Sequence, residues 1–215
     1  MNATDAPIQT SSYTPTELSY LLAGRDNVEA RRARSVLGLA EMNEGDPELL
    51  LAVQSLASRG LVRVKGNAVE ISTPAKVLGF VLGTGTDWTR LIVQVDGGVE
   101  AIVVISSPDA PGALALRATS LGNYEAVATQ PGVHPSQITG SIVSGYIANF
   151  DQVLISVHRD TTTLSAALVV EHTRGSDDWS VTLRTAVPET DDVADGTTEV
   201  VDEKTFYSNL EHLLA

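Results

Sequence analysis

From Trp88 onward the chain is a succession of short β-forming runs joined by tight turns, and this constrains its fold more than any other feature. Leu91 to Val95, Val99 to Ser106, Ala113 to Thr119 and Tyr124 to Thr129 are β-branched or alternating. Asp96-Gly97-Gly98 separates the first two, a tight-hairpin signal. Pro108 and Pro111-Gly112 mark the next connection. Parallel neighbours need crossovers of a dozen or more residues, so these strands must pair antiparallel. His134-Pro135-Ser136 leads into a helix predicted to run to about Asn149. Strands return at Val153 to His158, Leu164 to Thr173 and Trp179 to Val187. The acidic stretch Glu189 to Glu199 reads as a loop, and Glu203 to Leu214 as a last helix with Phe206, Leu210, Leu213 and Leu214 on one face. A meander and a helix, twice over, predict an α+β fold whose body is a pseudo-twofold antiparallel sheet with helices mainly on one face. Asp87-Trp88-Thr89 and Asp178-Trp179-Ser180 give the two halves a loose shared motif.

The first third has helical texture. Thr14 can cap a helix with Pro15 at its first position and Glu17 three residues after the cap. Leu18, Leu21 and Leu22 mark its apolar face, and Gly24 ends it. Val28 to Glu41 forms a second helix. A third starts at Asp46-Pro47-Glu48, buries Leu49, Leu50, Val53, Leu56 and Ala57, and stops at Gly60. Leu61 to Val64 and Ala68 to Ile71 then read as a hairpin, and Ala75 to Leu82 as a fourth helix. Three helices followed by a hairpin is the order of a winged helix. The predicted organisation is a disordered lead over 1–12, a helical, winged-helix-like segment over 13–85, and the two meander-plus-helix halves over 86–215, all of which can be one continuous domain. Gly83 to Trp88 reads as the linker into the body.

Charge narrows the function classes. The net charge is −13, of which residues 1–76 carry −1 (8 Lys+Arg, 9 Asp+Glu) and residues 77–215 carry −12 (6 and 18). The body should repel phosphate backbones, while the neutral head is not excluded from touching them. Arg31, Arg32, Arg34, Arg63 and Lys65 are the residues a nucleic-acid contact would use. Against it, Glu44, Asp46 and Glu48 stand where a reading helix would meet phosphate. No apolar run is long enough for a membrane span, and the first residues do not form a secretory leader. With no cysteine there is no disulfide or thiolate metal site, which fits a cytoplasmic protein.

Catalytic and cofactor motifs are missing. His134, His158, His172 and His212 show no metal-ligand spacing, although a favourable register could bring His158 and Arg159 near His172. Read as a calcium loop around Gly196, the acidic stretch puts Val193, Thr198 and Asp202 at positions that want other residues. No phosphate-binding glycine loop and no nucleophile elbow are present. The expectation is a non-enzyme without cofactor or metal.

The segments "TPTELSYLL", "LLLAVQSLASRGLV" with "AVEIS", "PAKVLGFVLG" and "ALRATSLGNYEAVATQPGVHPSQITGSIV" together resemble the EspG-like family of chaperones associated with actinobacterial type VII (ESX) secretion. The resemblance spans most of residues 13–215 and rests on turn and hydrophobic patterns. It implies quasi-twofold halves around an antiparallel sheet, no catalytic residues, and a cytosolic role in keeping a secreted client, such as a PE–PPE-type helical pair, soluble before export. This chain is shorter than typical members, so the resemblance does not carry the family's partner-contacting loops over to it. A chaperone needs an apolar patch framed by polar groups. Either the sheet face opposite the helices or the last helix, through Phe206, Tyr207 and Leu210, can supply it. The expected partner is a protein client, with no membrane insertion; the state is open between monomer and homo-oligomer. The competing reading is a transcriptional regulator whose winged head joins an acidic sensing or dimerisation body.

Overall fold

The computed structural model describes residues 10–43, 45–66, 68–161, 165–186 and 198–215. Its first element is a strand, β1 (Thr10–Tyr13), in place of the disordered end expected for the lead. Tyr13 is buried and anchors it. Helix α1 (Pro15–Leu21) follows at once because Thr14 and Glu17 form a reciprocal capping box: the Glu17 amide donates to Thr14 Oγ1 at 3.2 Å, and the Thr14 amide to Glu17 Oε2 at 2.8 Å. Helix α2 (Val28–Leu37) is capped by Asn27 and ends at Gly38, four residues before its predicted end. Gly38 takes φ 60°, a left-handed stop that favours glycine. Helix α3 (Pro47–Ser58), strands β2 (Val62–Lys65) and β3 (Ala68–Ile71), and helix α4 (Thr73–Thr84) complete the head in the winged-helix order. Helix α1 lies against α3 and α4, and α2 lies mainly against α4.

The body is one antiparallel nine-stranded sheet. After β4 (Asp87–Val95), β5 (Gly98–Ser106), β6 (Leu114–Ala118) and β7 (Tyr124–Ala128) comes helix α5 (Pro135–Asn149). Strands β8 (Gln152–Asp160), β9 (Ser165–Thr173), β10 (Trp179–Ala186) and β11 (Thr198–Val201) and helix α6 (Glu203–Leu214) then repeat that series. The sheet order is β1-β7-β6-β5-β4-β8-β9-β10-β11. The order is symmetric about the β4–β8 pair once β1 is set aside, so the pseudo-twofold body expected from the strand rhythm is present. The registers make the repeat quantitative. The row Leu91–Ile102–Arg117 recurs 66 positions later as Val157–Leu168–Leu183. The two Asp-Trp motifs are not part of this repeat. Trp88 opens β4, whereas Trp179 opens β10.

Alternation along β5 divides its side chains between two cores. Val103 and Ile105 join the head helices, Trp88, Leu114 and Leu116 in one cluster. Ile102 and Val104 join Leu91, Ile155, Leu168, Val143 of α5 and Phe206 and Leu210 of α6 in the other. The two body helices therefore share one face, called here the back, as expected. The head is packed on the opposite, front face. Gly83 to Trp88 is accordingly no free linker. Trp88 is fully buried and donates to Gly85 O at 2.9 Å. A Cβ at Gly85 would stand 2.4 Å from Ile105 Cγ2, so only glycine lets α4 turn so close to the sheet.

Candidate protein-binding site

The head covers the front of the sheet only over its first half. Its core includes side chains of β4, β5, β6 and β7 and none from β8 to β11. On the back, α5 and α6 cover both halves. This asymmetry leaves a bare front floor over the second half among the described residues. Cross-strand pairing identifies what lines it. Ile92 stands opposite Ser156 and Gln94 opposite Leu154. Ser156 in turn faces Val169, Leu154 faces Glu171, and Val169 faces Thr182. Ile92 is 48% exposed, Leu154 38% and, at the β11 edge, Val200 69%. Glu171 and Ser180 separate Val200 from Leu154, so the apolar spot on this floor is Ile92, Leu154 and the half-buried Val169, among polar neighbours.

Helix α2 approaches one end of the floor, where Arg32 comes 4.0 Å from Asp160 of β8. Between Val28, Arg32 and Val36 of α2 and Gly85, Thr86 and Thr161 at the strand ends lies a groove of about 560 Å³. A charged cluster joins α2 to the floor. Asp160 Oδ2 accepts from Arg90 Nη2 at 2.8 Å and lies 4.0 Å from Arg32, and Asp160 Oδ1 accepts from Ser165 Oγ at 2.6 Å. Next to it, Ser156 Oγ and His158 Nε2 are 2.7 Å apart.

Four of the five residues expected to touch nucleic acid already have partners within the protein. Arg31 pairs with Asp26 at 2.7 Å, and Arg32 reaches toward Asp160. Arg34 Nη2 donates to the carbonyls of Leu22 and Arg25 at 2.9 and 2.8 Å, closing the end of α1. Lys65 pairs with Glu70 at 2.9 Å, and Arg63 lies opposite the same Glu70 in the hairpin register. These cations sit on two separate elements in a surface of mixed sign.

The candidate apolar patch on α6 is corrected by burial. Phe206 is 0% and Leu210 2% exposed, so neither is available to a partner. Phe206 stacks on Trp179 at 4.7 Å, and Trp179 on His172 at 3.9 Å. Tyr207 is half-buried and its hydroxyl is 3.1 Å from Ser144 Oγ on α5. The histidines do not converge either. His158 faces the front, whereas His172 pairs with Val153 and belongs to the back. Most of the rejected calcium loop lies outside the described residues, but Thr198 and Glu199, predicted as loop, form part of β11. Sequence reasoning missed Ile92 and Leu154 as a pair, since they sit on strands 62 positions apart joined only by the central pairing.

No protein-family model matches the chain, and no curated protein matches it. Among the described residues, no helix is long and apolar enough to cross a membrane.

Proposed function

We propose that this protein is a non-catalytic cytosolic chaperone or adaptor that binds a secreted helical client on the bare front floor beside α2. The observation that carries this reading is the half-covered sheet: a front face whose second half the head core leaves bare, with Ile92 and Leu154 exposed on it. An amphipathic helix laid on such a face would bury its apolar stripe against the floor and keep its polar side in water. The acidic body favours solubility and disfavours nucleic acid. The resemblance to the EspG-like family points to a type VII secretion substrate of PE–PPE type as that client. The regulator reading is weakened by the carboxylate and carbonyl partners that Arg31, Arg34 and Lys65 already have.

The test is co-expression with PE–PPE pairs followed by measured affinity. Ile92→Lys and Leu154→Lys are surface changes expected to leave stability within about 0.5 kcal/mol. Each is expected to weaken client capture about ten-fold or more, because an ammonium would be buried against an apolar stripe. Undiminished capture by both variants would place the client elsewhere. Tight DNA binding that falls steeply with salt would replace the chaperone reading with the regulator.

A further inference from the structure

A second groove lies at the head, and none of the floor's residues line it. It holds about 430 Å³ and lies between the end of α1, the exposed side of α4 and the loop from β5 to β6. Leu21, Ile71, Ala75, Phe80, Ala110 and Pro111 give it an apolar lining. Its volume is in the range of small-molecule sites, about 300–1,000 Å³. Two glycine contacts shape it. A Cβ at Gly79 would come 3.1 Å from Leu21 O, so α1 and α4 are in close backbone contact at the base. Gly83 lies under the Arg25 side chain, where a Cβ would be 2.6 Å from Nη1.

The cations at this groove differ from Arg31, Arg32 and Arg34 of α2 and from Lys65, each of which has a partner within the protein. Neither the Arg25 guanidinium nor the Lys76 ammonium makes a hydrogen bond or ion pair among the described residues. Both line the groove, one by each end of the α4 stripe formed by Lys76, Gly79 and Gly83. Asp109 is the single carboxylate lining it, so cations outnumber it two to one. Residues 77–215 carry the net charge of −12, whereas this groove is edged by two cations without a partner among the described residues.

We propose that this groove binds an aliphatic carboxylate, its chain on Leu21, Ile71 and Phe80 and its head group on Arg25 or Lys76. The excess of cations over the one carboxylate favours an anion, and the apolar lining favours an aliphatic tail. The head group has its strongest candidate in Arg25, whose planar fork suits a carboxylate.

The experiment is titration of the full chain with decanoate below its aggregation concentration, followed by amide chemical shifts. Saturable shifts are expected at Leu21, Gly79, Phe80 and Ala110. Decan-1-ol is expected to bind about five-fold more weakly and decylammonium more weakly still, the scale of one partly exposed ion pair. Arg25→Gln is expected to lose about five-fold in affinity for decanoate and Arg25→Lys to keep most of it. Lys76 is exposed, so Lys76→Gln provides an independent reading should Arg25→Gln fail to fold; a loss of about two-fold or more is expected. Equal binding of alcohol and carboxylate would overturn the proposal. So would an absence of saturable binding, shifts confined to Ile92 and Leu154, or unchanged affinity in Lys76→Gln and in whichever Arg25 variants fold.

Discussion

Tyr146 shows how a single side chain can carry a measurable pH dependence. Its hydroxyl donates to Glu100 Oε2 at 2.7 Å. Burial, together with the Glu100 carboxylate, pushes its pKa up to about 12. Burial also raises Tyr13, Tyr20 and Tyr124. A phenol whose folded pKa exceeds its unfolded value near 10 contributes stability that is fully present below about pH 10. That contribution is lost as pH rises toward the folded value. Chemical denaturation is therefore expected to show stability falling between about pH 10 and 12. Tyr146→Phe should make that fall shallower without abolishing it, since three other raised tyrosines remain. An identical slope in the variant would mean that the Tyr146–Glu100 contact does not govern the effect. Residue-level chemistry of this kind was partly legible. The Thr14–Glu17 capping box could be read from spacing alone, because a cap and its partner are neighbours in sequence. The Tyr146–Glu100 pair could not, because 46 residues separate its members.

The elements were legible where a local pattern governs them. The seven body strands that the sequence predicts, β4 to β10, and all six helices stand close to their expected positions, because alternation, glycine stops and proline starts act within a few residues. The failures are short edge strands. β1 and β11 have four residues each, as do β2 and β3, but unlike that hairpin they have no tight turn to a sequence neighbour to announce them, and they exist because β7 and β10 offer them a partner. Helix α6 shows the same limit from another side. Its amphipathic stripe was clear, but a stripe can equally face a core or a client. Packing under Trp179 decides for the core. Phe206→Ala is accordingly expected to cost about 3–5 kcal/mol of stability, read as a lowered denaturation midpoint. A variant of unchanged stability would put Phe206 back among the candidates for partner contact.

At the scale of the whole molecule, the front and back cores share one sheet, and β5 contributes alternate residues to each. Neither core can lose its strands without exposing the other. Trp88 reports on the front core and Trp179 on the back core. Single-tryptophan variants, Trp88→Phe and Trp179→Phe, are therefore expected to give coincident unfolding transitions once each variant's own stability is allowed for. Two separated transitions within the unmodified chain, seen by calorimetry, would show instead that head and body melt apart. By itself the sequence determined the α+β class, the antiparallel pairing, the repeated meander-plus-helix order and the acidity of the body, since each follows from local periodicity, turn length or summed charge. Only the tertiary structure decided that the head closes half of one sheet face. The same packing placed Ile92 and Leu154 at a surface, put Phe206 and Leu210 inside, and left Arg25 and Lys76 unpaired at one apolar groove. Those outcomes depend on which faces meet, and a residue's face in a strand or helix does not say what lies across from it.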